Sequence, residues 1–311
     1  MHPTSLGPGG EFDAIRDLLA RWGHRAHGLG DDAAVVEVPA GERLVVSTDS
    51  SVEGVHFRRG WLTPREIGYR ATAGALSDLA AMAATPLGML VAITVPVLWQ
   101  TDLGALADGI GDAAALCDIP IIGGDLTRGA DLSITVTVMG SAVLPLARSG
   151  AQPGDRLWIT GTLGGPARAI SALAANGNPD ATSRERFAHP VPRLREARWL
   201  AARGATAGMD ISDGLVADAG HLAAASGVRI SLDLDRVPHV EGTDALAAAG
   251  SGEEYELLIA LPASAAVHDF QQLFRLPLTE VGIVGGIGQP GVETTYRGAR
   301  VAPPRGYDHF S

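Results

Sequence analysis

Seven aspartates set among glycine, serine and threonine are the residues of this chain best suited to chemistry. They are Asp31 and Asp32 in GLGDDA, Asp49 in VVSTDSS, Asp78 in ALSDLAAM, Asp125 in IIGGDLTRG, and Asp210 and Asp213 in MDISDGL. They are expected where strands end. Carboxylates beside small residues can converge on hard cations such as Mg²⁺, which prefer oxygen ligands. The 311-residue chain contains no lysine, and its 24 positive side chains are all arginines. A P-loop, a protein-kinase lysine and a Schiff-base lysine are therefore excluded. Phosphates, if this chain handles them, fall to arginines, backbone amides and metal ions.

Each motif also has a plainer reading. Ser47, Thr48 and Asp49 suit a capped turn as well as a ligand set, because all three favour local hydrogen bonds. The glycines before Asp125 either admit a ligand to the backbone or make a tight turn. In MDISDG, Ser212 or Asp213 can N-cap a helix, but that role leaves Asp210 unexplained. Asp78 lies in an apolar, alanine-rich helix, where an unpaired carboxylate is costly, so pairing or metal binding is expected over a solvent-facing position. GTLGGP at 161–166 reads as an ordinary strand-to-helix turn ahead of a phosphate cradle. His56 in SVEGVHF suits surface packing or a substrate contact equally. Five aspartate segments together favour the metal reading, since unrelated caps would not require all of them.

The elements that must carry these residues follow from periodicity. A helix is expected over Phe12–Trp22, then strands in AAVVEV and RLVVST joined by a PAGE turn. TPREIGYRATAGALSDLAAMAA is a helix with Thr63 as N-cap, Pro64 at the first position and Glu66 closing a capping box. A strand at 88–95, a helix from Asp102 to Leu116, and strands in IPIIGGD and LSITVTVMGSAV complete a first half. PLARSGAQPGD marks a boundary near residue 147. Beyond it, RLWIT, RISLDL, YELLIAL and LTEVGIVGG read as strands. ARAISALAANG, the stretch after HPVPR and the stretch after MDISDG read as helices. The fold class is mixed α/β in two domains, 1–147 and 148–311.

Composition narrows the class. Hydrophobic residues make up 46% and charged residues 19%, as in a globular protein. No apolar run approaches the length of a membrane span, and MHPTSLGPGG lacks the basic and apolar regions of a signal peptide. One cysteine, Cys117, cannot form an internal disulfide, so a cytoplasmic setting is expected. A net charge of −11 argues against nucleic acid as a partner. It is compatible with anionic substrates if carboxylates hold divalent cations.

GDDAAVV, STDSSVEGVHF, LSDLAAMAATP, GGDLTRG, RSGAQPGD, MDISDGL, SGEEYEL and the terminal GYDHF, in this order, resemble the thiamine-monophosphate kinase family of the aminoimidazole-ribonucleotide synthetase superfamily. The resemblance spans nearly the whole chain. It implies an N-terminal metal- and ATP-binding domain whose strands form a barrel across a homodimer, and a C-terminal domain completing an active-site cleft. It implies Asp32, Ser47, Thr48, Asp49, Asp78, Asp125, Asp210 and Asp213 as ligands of several Mg²⁺ ions. It implies Gly124, Asp125, Arg148 and Ser212 as ATP contacts, and His56, Glu253 and Tyr307 as contacts of thiamine monophosphate. The implied reaction is metal-assisted in-line transfer from ATP to thiamine monophosphate, with no residue serving as an obligatory base. The chain departs from the family in Gly252-Glu253-Glu254, where Gly-Glu-Asp is common. Leu116 and Cys117 stand where an aromatic is common, and Ala83 stands where a glycine is common, a change expected to be tolerated within a helix. The alternatives are another ATP-dependent member of the superfamily, or a non-catalytic Mg-nucleotide binder. A selenophosphate synthetase would show a reactive cysteine or selenocysteine and a lysine near the N-terminus, and the hydrogenase-maturation relative a terminal cysteine; this chain ends Phe310-Ser311.

Overall fold

The computed structural model describes residues 9–26, 33–304 and 306. The chain divides into two units, one holding it as far as Leu79 and again over Ala84–Leu144, the other holding Ala80–Ala83 and the chain from Pro145. Asp31, Asp32 and Tyr307 lie outside the described residues.

In chain order the first unit runs α1 (Gly10–Trp22), β1 (Arg43–Val52), α2 (Pro64–Ala81), β2 (Thr85–Val95), α3 (Leu103–Leu116), β3 (Ile121–Arg128) and β4 (Ser133–Ala142). The start of α2 follows its sequence. Thr63 N donates to Glu66 Oε2 (2.7 Å) and Glu66 N to Thr63 Oγ1 (3.3 Å), a reciprocal cap. The strands form a sheet in the order β1-β4-β2-β3, with β2 and β3 parallel and the other pairs antiparallel. Alternation gives the sheet two unlike faces. Val45 on β1, Ile134, Val136 and Val138 on β4, and Met89, Val91 and Ile93 on β2 are buried and share one face by register. Leu44, Val46, Thr48 and Ser50 point to the other face and are exposed.

Three expectations are corrected here. AAVVEV forms no strand: residues 33–38 are irregular and Val35 is 91% exposed. Among the described residues β1 has only β4 beside it, and this apolar run joins no ladder. Asp49 and Asp125 do not stand past strand ends. β1 continues to Val52 and β3 to Arg128, because polar Ser, Thr and Arg side chains are tolerated where a strand is solvated. Ala83 is not helical. It has φ 53°, in the left-handed region, where Ala84 N donates to Leu79 O (2.9 Å) to close the helix end. A glycine takes that conformation without a Cβ penalty, which is the physical sense of a glycine there.

The second unit contains β5 (Arg156–Thr160), α4 (Gly165–Ala174), α5 (Ala181–Ala188), α6 (Leu194–Ala201), β6 (Ala207–Asp210), α7 (Leu215–Ser226), β7 (Val228–Asp233), α8 (Ala245–Ala249), β8 (Leu257–Leu261), α9 (Phe270–Phe274), β9 (Leu278–Ile287), β10 (Gly291–Tyr296) and β11 (Ala299–Val301). Its sheet has the order β11-β10-β7-β9-β5-β8-β6, antiparallel except for β7 with β10. Leu157, Ile159, Met209, Ile211, Leu215, Leu222, Ile230 and Leu258 pack in its core. Among the described residues neither sheet closes into a barrel, and no helix is long and apolar enough to cross a membrane.

Candidate active site

The first unit brings Ser47 to Asp78. Ser47 Oγ donates to Asp78 Oδ2 at 2.5 Å, joining β1 to α2. The carboxylate in the apolar helix is thus half-buried and paired with a strand hydroxyl. Thr48 turns to the opposite face, where its Oγ1 lies 3.0 Å from Thr137 Oγ1. Asp49 shares the face of Ser47 and is exposed, its Oδ1 accepting Ser50 N at 2.8 Å.

Asp125 stands elsewhere. Asp49 pairs with Val136, Val136 with Val91, and Val91 with Gly124, so one row crosses the whole sheet. Three strand spacings separate β1 from β3, about 14 Å along the sheet. Asp125 is one residue past that row and projects to the other face. Gly124 has a plainer reason than ligand access: a Cβ there would lie 1.9 Å from Val91 O on the neighbouring strand. His56 Nδ1 accepts Val52 N at 3.1 Å, so a neutral ring carries its proton on Nε2. The ring therefore also ties the turn after β1.

In the second unit two of the sequence motifs are joined. Asp210 ends β6 and is buried. Ile211 N donates to Glu256 O, Tyr255 N to Ile211 O and Glu253 N to Ser212 O, at 2.7, 2.9 and 2.6 Å. The MDISDG turn and the SGEEYE segment are therefore held side by side, bringing Asp210, Ser212, Asp213 and Glu253 together. Glu253 and Tyr255 are left-handed, with φ 59° and 54°, a backbone cost that persists only where surroundings enforce it. Gly306 lies against the same turn, since a Cβ on it would meet Asp213 O at 2.7 Å and Ala217 Cβ at 2.6 Å. Arg148 is exposed beside the start of β6, where Gly208 N donates to Ala147 O (2.9 Å) and Ser226 Oγ to Arg148 O (3.0 Å).

A buried ionic network enforces the left-handed segment. Glu256 is held by Arg193 through two contacts of 2.6 and 2.8 Å, by Arg186 at 3.3 Å and by Thr160 Oγ1 at 2.6 Å. Burial pushes its carboxyl up, but these partners outweigh it and hold the group below the usual range. Among the described residues Glu254 has Arg186 (3.1 Å) as its charged partner, and it also accepts Gly164 N. Burial pushes Glu254 up to about 7 against these opposing contacts. With Gly164 N taken by Glu254, and Gly161 N and Leu163 N by Pro277 O and Pro238 O, the GTLGGP turn is the ordinary turn its sequence favoured.

Asp218 was not among the candidates. Its Oδ2 accepts Ser212 N, Asp213 N and Gly214 N at 3.1, 3.2 and 3.1 Å. The residue is 1% exposed, and its Oδ1 is buried with no hydrogen-bond partner. Burial first, then the carboxylates of Asp213 and Asp210, push it up to about 8. A signal existed: Asp218 sits in LVADAGHLAAA, as apolar and alanine-rich as the surroundings of Asp78. Among the described residues, Asp213, Asp218 and His221 alone form a group of three whose possible ligand atoms come within 4.8 Å of one another. His221 is exposed and 3.9 Å from Asp213 Oδ2. Carboxylate oxygens without thiols, one of them buried and orphaned, suit a hard divalent cation.

A two-unit chain with aspartates and hydroxyls on the strands and helix of one unit and on a turn of the other defines a class. Residues 30–142 match the model of the AIR synthase related protein, N-terminal domain, and residues 152–295 that of its C-terminal domain. Thiamine-monophosphate kinase of Salmonella typhimurium is 37% identical over 279 residues, 81% of this chain and 83% of that protein. The Bacillus subtilis thiamine-monophosphate kinase is 33% identical over 331 aligned positions, 96% of this chain and 99% of that protein. The crystal structure of thiamine-monophosphate kinase from Stenotrophomonas maltophilia is similar with TM-score 0.80 and 35% identity, covering 93% of this chain and 98% of that one. A structure described as AaThiL complexed with AMPPCP and TMP is similar with TM-score 0.77 and 27% identity over the full length of both chains. The chain belongs to the AIR synthase related family and, within it, to the thiamine-monophosphate kinases.

Proposed function

We propose that this chain transfers the γ-phosphoryl group of ATP to thiamine monophosphate, giving ADP and thiamine diphosphate. The observation that carries the reading is the end-to-end match to thiamine-monophosphate kinases, 96% of this chain against 99% of the Bacillus protein. The similar structure described as a complex with AMPPCP and TMP supports both substrates. Hydrogenase-maturation proteins share the fold at TM-score 0.82, but at 20% identity they speak for the fold alone.

The acceptor is a phosphate anion and needs no base to strip an alcohol of its proton. Charge is the obstacle: two unit negative charges ~4 Å apart repel by about 4 kcal/mol at an effective dielectric near 20. Asp49, Asp78, Asp125, Asp210 and Asp213, with Ser47 and Thr48, are the residues to hold several Mg²⁺ ions, directly or through water, and Asp32 joins them by resemblance. Mg²⁺ held by these residues would offset phosphate charge and favour in-line transfer between donor and acceptor. Arg148, exposed, supplies a guanidinium whose fork matches phosphate oxygens. Ser212 and Gly124 offer backbone and hydroxyl contacts to ATP. His56, through Nε2–H, and Glu253 contact thiamine monophosphate, as does Tyr307. Asp49 and Asp125, on opposite faces of one sheet, suit several ions better than one compact centre. The unit up to Leu144 serves metal, ATP and dimerisation, with its sheet completing a barrel with a second copy. The unit from Pro145 completes the substrate site.

ADP release, measured by a coupled assay with and without thiamine monophosphate, tests the reading. Turnover that requires thiamine monophosphate and stops on chelation is expected. Nucleotide binding without ADP release, or ADP release indifferent to thiamine monophosphate, would sink it.

A further inference from the structure

The turn that carries Asp210, Ser212 and Asp213 has three consecutive amides, at 212, 213 and 214, aimed at one atom, Asp218 Oδ2. We infer that Asp218 is the positioning residue of this turn: it gathers the three amides so that Asp210 and Asp213 present their carboxylates in a fixed arrangement. The roles of Asp210 and Asp213 rest on the kinase reading; the gathering of the turn does not. Several features carry the inference. An amide triplet converging on one oxygen fixes the backbone across the turn. Asp218 belongs to the first turn of α7, so a rigid element bears the anchor, and Gly214 N also opens that helix. The residue is buried with Oδ1 unpartnered, and one of its carboxylate oxygens lies within 4.8 Å of possible ligand atoms of Asp213 and His221. A buried oxygen without a partner is costly to the helix that carries it. Its value is in what Oδ2 does to the turn.

Two variants and two readouts separate this role from a general structural one. Asp218→Asn keeps an oxygen acceptor of the same shape, whereas Asp218→Ala removes it. Amide hydrogen exchange of the folded protein without ligands reports the turn directly. The Ala variant is expected to exchange over 211–217 about tenfold faster or more, with the buried strand 257–261 unchanged. The Asn variant is expected to stay within about threefold of wild type. Mn²⁺ titrated as the probe, followed by its electron paramagnetic resonance signal, is expected to bind about tenfold more weakly to the Ala variant, with Asn restoring affinity. In turnover, the Mg²⁺ concentration for half-activation rises in the Ala variant while KM for thiamine monophosphate stays within about twofold. Unchanged exchange at 211–217 in the Ala variant overturns the inference, as does equal loss in Ala and Asn. Parallel loosening of 257–261 also overturns it, by marking Asp218 as part of the general core. If the Ala protein does not fold, a loose turn in the Asn variant alone overturns it. Failure of the kinase reading shows separately, as absence of thiamine-monophosphate-dependent ADP release in the wild type with its turn still protected.

Discussion

Asp49 and Asp125 are exposed on strands whose ladders are complete without their carboxylates, so little folding energy depends on them. Asp49→Asn or Asp125→Asn keeps the shape and removes the ligand charge. Turnover is expected to fall by about two orders of magnitude or more, with stability changed by no more than about 0.5 kcal/mol. Coupled ADP release and thermal melting by circular dichroism measure the two, and full activity in either variant removes that residue from the site. Glu254 predicts a pH dependence. Its carboxyl is raised to about 7 in the fold, while an unfolded chain leaves it near the ordinary value of about 4.3. The folded state therefore binds the proton more tightly, its stabilisation is complete below the unfolded value, and it is lost as pH rises through about 7. Between pH 5 and 8 the loss is about 2 kcal/mol. Glu254→Gln keeps the neutral form at every pH. The stability difference between wild type and this variant should move by about that amount from pH 5 to 8 in urea melts, and a constant difference contradicts a raised Glu254. Residues were legible in proportion to how local their cues are. Asp78 was readable because an apolar helix surrounded it. Asp218 had the same cue, but its job depends on amides four to six positions earlier, and no spacing rule marks that.

Helices and strands with strong internal signals formed where periodicity placed them. α2 is the clearest, since its cap is written in Thr63, Pro64 and Glu66. Thr63→Ala removes Oγ1 from Glu66 N and from its bond to Glu66 Oε2 at 2.9 Å. A loss of about 1 kcal/mol in a denaturant melt is expected, with metal activation unchanged; no loss would mean the cap is redundant with packing. The failures share a cause. AAVVEV is as apolar as a strand, yet a strand needs a neighbour, and sequence does not say whether one is available. Asp49 and Asp125 were expected past strand ends because Ser, Thr, Asp and Gly resemble turns. Cross-strand pairs such as Ser50 with Thr135, 2.8 Å between hydroxyl oxygens, instead keep β1 in the ladder. The short helices α5, α8 and α9 and the strands β10 and β11 carried too few residues for a period to show. Asp180 and Asp244 cap α5 and α8 through Ser183 N and Ala247 N, cues that are visible only once the helix is known.

At the scale of the molecule, one local segment, PLARSGAQPGD, marked the division, while the strand order within each unit is not encoded in any one segment. Periodicity marked the longer elements of each unit but not their pairing: β4 lies between β1 and β2, and β9 between β7 and β5, orders that depend on contacts far apart in the chain. The first sheet also raises a question of assembly. Among the described residues β1 is bonded only to β4, and an edge strand presents unpaired amides and carbonyls to whatever comes beside it. Leu44 and Val46 project from it at 50% and 54% exposure, on the face that also carries Thr48 and Ser50. Small polar groups and two aliphatic side chains on an uncovered face are what a second copy of the sheet would cover, in keeping with the proposed dimer. Val46→Glu places a charge there without touching the buried face, whose Val45, Val136 and Val138 remain intact. Burying that charge against a second copy costs several kcal/mol unless it is paired. Sedimentation velocity of the wild type is expected to show a dimer, and the Val46→Glu protein a monomer with an unchanged circular dichroism spectrum. Turnover should fall with the dimer if Asp49 and Asp125, which one sheet sets on opposite faces, meet the same nucleotide only across two copies. A Val46→Glu dimer of wild-type strength removes this face from the interface. A wild-type monomer with full turnover removes the dimer from the mechanism.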